Sequence, residues 1–359
     1  MTIFFGPTAR TASVGFAILA SLILVDAAQA GTASFAGLGF LDPSHPSTTN
    51  PYIDADGTVV AGTSNYADEK SEAFRWTQSG GIVGLGFLSR TNESAAGAIS
   101  GNGQVVAGSG GTGTVGYTAF RWSETTGMAR LNDEKVATNI AAANRNGSIL
   151  AGGDIRIVKG NNTPQSLGVL GTPEGGGTGA QAMSMDSTGD YIVGFSSTTT
   201  EGQVEAFIWN EGMSGLGFPP SDSISTANGI SGDAKTVVGY GRPMTNSETT
   251  AFYWTTLSGI DPLSAPAGLP YTVANAVNEH GTIIVGCATA NTEETDYQAI
   301  MWNNKGVPKT IAAIAAQNGL STTGWTLTCA TSVSGSGKTI VGNGIDPDGH
   351  NEAWILQLP

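Results

Sequence analysis

The feature that most constrains the fold is a phrase that recurs seven times along the chain. Each copy has an apolar residue, then Ser, Asn or Asp, two variable residues, a turn residue that is usually Gly, and a β-branched run ending in Gly, as in Ile53–Gly62 and Ile99–Gly108. The closing glycines lie 42 to 56 residues apart, at Gly62, Gly108, Gly152, Gly194, Gly239, Gly286 and Gly342. A regular period of this size indicates a repeated supersecondary unit.

The chemistry of this phrase predicts a β-hairpin in every copy. A Ser, Asn or Asp side chain at the first turn position can bond the backbone ahead of it, and Gly at the fourth position closes a type I turn. The Val- and Ile-rich run that follows favours a strand.

Two further phrases complete the unit. The sequence Ala-Phe-x-Trp, or a looser version of it, predicts an interior strand, and we expect its Trp residues to pack inside rather than to stack on a ligand. It occurs at 73–76, 119–122, 206–209, 251–254, 299–302 and 353–356, whereas the third repeat offers only 155–158. A Leu-Gly phrase then closes units at 84–88, 166–170 and 215–218, with looser copies elsewhere.

The two ends of the chain carry complementary fragments. The seventh Leu-Gly phrase stands alone at 37–41, and the chain ends on a second-phrase strand at 352–358. Four short strands per unit is the size of a propeller blade. We therefore predict an all-β fold, a single seven-bladed β-propeller over residues 31–359. Its N-terminal strand, about 35–41, pairs with the C-terminal blade and removes an open edge.

The ordered phrases resemble the repeats of the bacterial extracellular HAF-repeat family over essentially the whole chain after residue 30. The last repeat, with 324–327, 330–334, 339–342 and 352–355, looks like that family's usual final repeat. The His of the family's name is replaced here, by Glu72, Thr118, Glu205, Thr250, Gln298 and Glu352. The resemblance implies an exported repeat protein and assigns no catalytic or binding residue.

The N-terminus reads as a secretory signal peptide, residues 1–30. Arg10 precedes the apolar run Val14–Val25, and Ala28-Gln29-Ala30 supplies small residues for cleavage. The run is too short for a membrane span, and no second apolar stretch of spanning length follows. We expect a secreted, extracellular or periplasmic, bacterial protein. In an oxidising compartment Cys287 and Cys329 could form one disulfide, and two separately buried thiols are the alternative.

Charge and motif content narrow the function. The chain has 15 Lys+Arg against 29 Asp+Glu and a net charge of −14, which argues against nucleic acid and anionic membranes as partners. Its three His residues sit in no nucleophile–base pattern. Asp54–Gly57 and Asp346–Gly349 contain carboxylates suited to calcium, but we interpret both as turns. We expect no catalytic residue, no metal and no cofactor.

These observations favour a non-enzymatic binding or interaction scaffold whose ligand is unknown, with a neutral glycan or another exported protein as its partner. Specificity would reside in the loops that break the repeat, where Tyr117 and Tyr297 are candidates to stack on sugar rings. A carbohydrate-active enzyme, either a polysaccharide lyase or a hydrolase, is one alternative. A structural surface component or adhesin is another.

The segments that interrupt the repeat are 42–51, 109–117, 196–201, 289–297 and 310–323. We expect the last of them to contain a short helix stopped by Asn318-Gly319.

Overall fold

The computed structural model describes residues 32–67, 70–111, 117–131, 139–160, 163–172, 179–292, 296–304 and 306–359. The predicted signal peptide, residues 1–30, lies outside this part of the chain. The described residues form seven antiparallel sheets of four strands each. The predicted seven-bladed β-propeller is confirmed.

Each of blades 1 to 6 is built from four consecutive strands, and the first strand of each blade is the innermost. Blade 1 contains β2 (Thr48–Ile53), β3 (Val59–Ala67), β4 (Lys70–Thr77) and β5 (Gly81–Gly84). Blade 2 contains β6 (Glu93–Ile99), β7 (Val105–Gly111), β8 (Thr118–Ser123) and β9 (Gly127–Arg130). Blade 3 contains β10 (Ala142–Ala143), β11 (Ile149–Gly152), β12 (Ile155–Val158) and β13 (Gln165–Ser166).

The second half of the ring follows the same order. Blade 4 contains β14 (Ala180–Met185), β15 (Ile192–Ser197), β16 (Val204–Trp209) and β17 (Met213–Gly217). Blade 5 contains β18 (Ile224–Ile230), β19 (Val237–Arg242), β20 (Thr250–Thr255) and β21 (Gly259–Pro262). Blade 6 contains β22 (Tyr271–Val277), β23 (Ile284–Thr289), β24 (Gln298–Trp302) and β25 (Pro308–Thr310).

Blade 7 joins the two ends of the chain, as the complementary fragments predicted. Its inner strands are β26 (Thr326–Val333), β27 (Thr339–Ile345) and β28 (Asn351–Gln357), and its outer strand is the N-terminal β1 (Ser34–Gly37). The register runs from Ser34 opposite Gln357 to Gly37 opposite Trp354. The closing strand ends earlier than the predicted 35–41. Beyond Gly37 the Leu38 N–H donates to the Ala353 carbonyl, at 2.9 Å, and the Gly39 N–H donates to Glu352 Oε1, at 2.8 Å.

The seven innermost strands surround a central channel. We call the end at which the first and second strands of each blade connect the turn end, and the opposite end the loop end. At the turn end one backbone N–H of each hairpin turn donates to a carbonyl of the next, at 2.8 to 3.3 Å, until the Gly335 N–H returns to Ala55. The pairs are Ala55–Gly101, Asn102–Arg145, Arg145–Ser187, Ser187–Gly232, Asp233–Glu279, Glu279–Gly335 and Gly335–Ala55.

The polar residue at the start of each turn is buried and holds its own hairpin. Its side-chain oxygen accepts the backbone N–H of the residue five positions later, at 2.8 to 3.1 Å. All seven side chains are at most 5% exposed: Asp54, Ser100, Asn144, Asp186, Ser231, Asn278 and Ser334. The predicted hairpin turns are confirmed, and the burial explains why only short polar side chains occupy this position.

The aromatic residues of the second phrase pack inside the ring. Phe74, Phe120, Phe207 and Phe252 are fully buried, as are Trp302 and the related Trp354. Trp122 and Trp254 are half-buried. The interpretation of this phrase as interior packing is therefore confirmed for most of its aromatic positions.

The helix predicted in the 310–323 insertion is α1 (Ile311–Gln317). The Thr310 hydroxyl accepts the Ala313 N–H at its start, and Asn318 ends it. Ile311 and Ile314 are buried beside Leu327 and Trp354 of blade 7, so the insertion covers the junction between blades 6 and 7. No helix in the described ranges is both long enough and apolar enough to cross a membrane.

Candidate functional site

The loop end carries a groove between blades 5 and 6, with a volume of about 470 Å³. We call it the blade 5–6 groove. It is lined by three tyrosines, three amides, four hydroxyl side chains, one Val and one Arg. These are Tyr240, Tyr271, Tyr297, Asn228, Asn275, Asn291, Ser247, Thr249, Thr289, Thr292, Val273 and Arg242.

Strand alternation and two loops bring these side chains together. Tyr240 and Arg242 are two residues apart on β19, so they share one face of that strand. Tyr271 and Val273 do the same on β22, the innermost strand of the next blade. Asn228 on β18, Asn275 on β22 and Thr289 at the end of β23 also line the groove, and the connections after β19 and β23 add the other hydroxyl and amide groups and Tyr297. Neighbouring blades thus supply the two walls.

The chemistry of the lining suits a neutral, hydroxyl-rich ligand. All three tyrosines are half-buried, so each ring has both protein support and an accessible part. Aromatic faces stack on apolar ligand faces, while amide and hydroxyl groups form hydrogen bonds of either polarity. The Tyr271 hydroxyl lies 3.4 Å from Glu248 Oε1, to which it donates.

Arg242, the cation among the described lining residues, braces one of the groove's loops. Its Nη1 donates to the carbonyl oxygens of Pro243, at 3.4 Å, and Asn246, at 3.2 Å. Those residues begin the connection that presents Ser247 and Thr249 to the groove. The guanidinium therefore positions a wall of the site.

The opposite loop is fixed by hydrogen bonds at its base. The buried Thr289 hydroxyl donates to the Asn291 carbonyl at 3.1 Å and accepts the Asn291 N–H at 3.3 Å. Asn291 Nδ2 also donates to Asp296 Oδ2, at 3.4 Å. These bonds hold the start of the segment that leads to Tyr297.

The structure separates the two tyrosines that the sequence singled out. Both stand two residues before the Ala of a third strand, but Tyr297 lines the groove in blade 6 and Tyr117 belongs to blade 2. Tyr117 is 57% exposed, and its hydroxyl donates to Glu93 Oε2 at 3.1 Å. That hydrogen bond to Glu93 raises the pKa of Tyr117. The two residues are equivalent in the repeat and differ in surroundings.

Cys287 and Cys329 are joined by a disulfide between blades 6 and 7, with their Cα atoms 4.8 Å apart. The groove residue Asn275 lies against this bond. Its Nδ2 is 3.1 Å from Cys329 Sγ, 3.4 Å from Cys287 Sγ and 2.9 Å from the Ala330 carbonyl, to which it donates. One wall of the groove is therefore tied covalently to the next blade.

Two carboxylates in equivalent loop-end connections differ in their environment. The hydroxyl of Ser44 and the ring of His45 hydrogen-bond Asp42 and lower its pKa to about 2. Burial raises the pKa of Asp222 to about 6, and its Oδ2 is enclosed without a hydrogen-bond partner among the described residues. The first connection thus makes Asp42 easier to ionise, and the second makes Asp222 harder to ionise.

The acidic turn at 346–349 brings Asp346, Asp348 and His350 together, with one ligand atom from each within 4.8 Å of the others. Asp346 Oδ1 accepts the N–H groups of Asp348, at 2.9 Å, and His350, at 2.8 Å. Its Oδ2 lies 3.1 Å from His350 Nδ1. The carboxylate of Asp346 thus organises the turn, in the way the sequence interpretation described.

Sequence reasoning missed Tyr240, Tyr271 and the amide pair Asn228 and Asn275. A signal for the pair exists in the repeat alignment. Both Asn residues occupy a β-bulge of an innermost strand, where the corresponding residue is Gly97 in blade 2 and Met183 in blade 4. Blade 7 carries Thr331 at this position, so Asn in two adjacent repeats is the feature that marks the site.

No protein-family model matches the chain, and no curated protein sequence matches it. Among solved structures, it is similar to an oligogalacturonate lyase in complex with manganese. That match has a TM-score of 0.57 and 11% identity, and covers 92% of this chain and 97% of the other. The β-propeller domain of the Trilobed protease from Pyrococcus furiosus, described as having an open velcro topology, matches with a TM-score of 0.56 and 12% identity, covering 86% and 94%.

TolB from Acinetobacter baumannii matches more weakly, with a TM-score of 0.43 and 12% identity over 72% of this chain and 52% of that one. The chain spans about half the length of that protein. At such identities these similarities concern the fold alone. Fold and groove together define the class: a β-propeller with an aromatic, polar groove at its loop end.

Proposed function

We propose that the protein is an exported bacterial binding scaffold, without enzymatic activity, and that the blade 5–6 groove binds a neutral glycan. The observation that carries this proposal is the lining of the groove. Three half-buried tyrosines stand there among amides and hydroxyls, with Arg242 already engaged by its own loop. Sugar rings offer apolar faces to aromatic side chains and hydroxyls to polar ones.

Charge supports the same ligand class. A protein with a net charge of −14 repels sulfated and phosphorylated polymers at long range. The N-terminal signal-like sequence and the disulfide support export, because disulfides persist in oxidising compartments. Periplasmic and fully extracellular locations both fit these features.

The test is a glycan array probed with the mature chain, residues 31–359, followed by calorimetry on the neutral oligosaccharides that bind. We expect Tyr271→Ala and Tyr297→Ala each to weaken binding at least about tenfold, equivalent to about 1.4 kcal/mol. Tyr117→Ala is the matched control, since Tyr117 has the same place in its blade but lies outside the groove. It should leave the affinity unchanged.

A product assay on the same polysaccharides distinguishes the alternatives. Reproducible shortening of a polymer by the purified protein would establish a carbohydrate-active enzyme and overturn the non-enzymatic proposal. Binding to polyanions alone would contradict the choice of ligand. Concentration-dependent self-association without glycan binding would favour the structural surface component or adhesin.

A further inference from the structure

The blade 5–6 groove adjoins the central channel. Asn228 and Asn275 line both spaces, so the two amides stand at the junction between groove and channel. The channel has a volume of about 220 Å³, several times the roughly 30 Å³ share of one water molecule. The channel is therefore large enough for a group of about the size of one sugar ring.

Two side-chain contacts at the turn end of the channel each span one intervening blade. The Ser187 hydroxyl of blade 4 lies 3.1 Å from both carboxylate oxygens of Glu279 in blade 6. Arg145 of blade 3 and Asp56 of blade 1 approach to 3.9 Å at the same end. Together with the closed ring of backbone hydrogen bonds that joins the seven turns, these contacts narrow the channel at this end. A ligand that extends from the groove into the channel meets this constriction before it can pass through.

The two amides at the junction present acceptors to such a ligand. Asn228 Nδ2 donates to the Ala274 carbonyl and Asn275 Nδ2 to the Ala330 carbonyl, both at 2.9 Å. These bonds fix the orientation of each amide. Each Oδ1 accepts no hydrogen bond from a protein group in the described part of the chain, so it can accept one from a ligand hydroxyl.

We propose that the site recognises the end of a neutral saccharide chain, and this inference rests on the proposed function. The terminal unit enters the channel past Asn228 and Asn275, and the units behind it lie in the groove along Tyr271 and Tyr297. Recognition of the middle of a chain is disfavoured because a chain continuing in both directions would have to pass the narrowed turn end or fold back within a channel of about one ring's size.

The first experiment uses the wild-type mature chain and neutral polysaccharides of one type in two mean lengths, differing about tenfold. If chain ends are bound, the number of binding sites at equal mass concentration falls in proportion as the chains lengthen. Sites that scale with mass, whatever the chain length, would overturn the inference. Neither outcome depends on a variant being folded.

The second experiment blocks the channel. Ser184 lines it from β14, and Ser184→Tyr should weaken binding of maltohexaose, cellohexaose, xylohexaose or mannohexaose, whichever the wild type binds, at least tenfold. Ser79→Tyr, in the exposed turn after β4, is the matched control and should bind normally. Ser184→Tyr that is folded by circular dichroism and binds like the wild type refutes entry into the channel. Failure of the groove itself is recognised separately, by full binding in Tyr271→Ala and Tyr297→Ala.

Discussion

The turn end and the loop end of the same ring follow different rules. At the turn end all seven blades present a buried Ser, Asn or Asp with the same backbone bond, and a circle of hydrogen bonds joins the turns. At the loop end the connections differ in length and in most of their side chains, although four junctions share a bond from an Ala N–H of one blade to a Ser or Thr hydroxyl of the next. The groove occurs where two adjacent blades carry Asn at the bulge of the innermost strand.

This difference separates the parts of the sequence that build the ring from those that give it a function. A turn that must bond both of its neighbours has little freedom, since any change alters two junctions. The loop-end connections are not joined into such a closed circle, so more of their side chains can vary. Recognition is therefore expected at the end where the repeat is broken.

The largest effect should come from opening the ring. Deleting residues 31–41 removes β1 and with it Phe35, whose ring contacts Trp325 and Trp354, and the buried Leu38. We expect a loss of at least about 5 kcal/mol in the free energy of unfolding, measured by urea denaturation. Shortening the exposed loop 199–202 is the control. If the two variants have similar stability, closure by β1 is not what holds the ring.

The junction between blades 6 and 7 should be the next most sensitive. Its disulfide closes a separation of 42 residues, which corresponds to about 4 kcal/mol by the chain-entropy estimate. Cys287→Ser combined with Cys329→Ser should lose stability of this order.

The neighbouring junction gives the comparison. Asn228 joins blades 5 and 6 through one hydrogen bond to Ala274, at 2.9 Å, so Asn228→Ala should cost only about 1 kcal/mol. Alkylation of the denatured, unreduced protein provides an independent check. Two reactive thiols would show that the covalent junction does not form.

A smaller effect is expected from a single turn. Ser231 is fully buried, accepts the Thr236 N–H at 3.0 Å and donates to Asp233 Oδ1 at 2.7 Å. Ser231→Ala leaves those groups without their partner and should cost about 1 to 3 kcal/mol. Ser258→Ala, in an exposed turn, should change stability by less than about 0.5 kcal/mol. Equal losses of stability at the two positions would contradict the distinction between the buried turns that join the ring and the exposed turns outside it.

The sequence was sufficient to predict the turn end, because its rule repeats in every blade. Blade number, hairpins and closure all follow from the register of short phrases, and α1 was predicted from the insertion that interrupts them. One relation within those phrases escaped notice. Glu72, Glu205 and Glu352 occur in the three blades that carry Gly-Leu-Gly, and each Oε1 accepts the N–H of the second Gly, at 2.7 to 2.9 Å.

The groove was harder to predict because it is a property of two blades together. Tyr297 was identified as an exposed aromatic, as was Tyr117. What separates them is their surroundings: Tyr271 of the same blade and Tyr240 of the preceding blade lie near Tyr297, whereas Tyr117 meets Glu93, which holds in blade 2 the register position of Tyr271. A repeat period fixes the order of blades, whereas side-chain convergence between them depends on the loops.

The smallest predicted effect concerns pH and the two loop-end carboxylates. Since the folded-state pKa of Asp222 is about 6 and its ordinary value is 3.8, the folded protein binds this proton more tightly than the unfolded chain does. Stability therefore falls as the pH rises from about 4 to about 6, and stays lower above that range. Asp222→Asn should raise the free energy of unfolding by about 1 kcal/mol near pH 8, a value reduced for solvent screening.

The same variant should match the wild type below about pH 4, where both forms are neutral. Asp42→Asn supplies the control of opposite sign. The pKa of Asp42 is lowered to about 2, so its contribution is present above about pH 4 and is lost as the pH falls toward 2, and the Asn variant should be the less stable one at neutral pH. If Asp222→Asn changes the free energy of unfolding by the same amount near pH 4 and pH 8, burial does not raise the pKa of this carboxylate. The two connections would then be electrostatically alike.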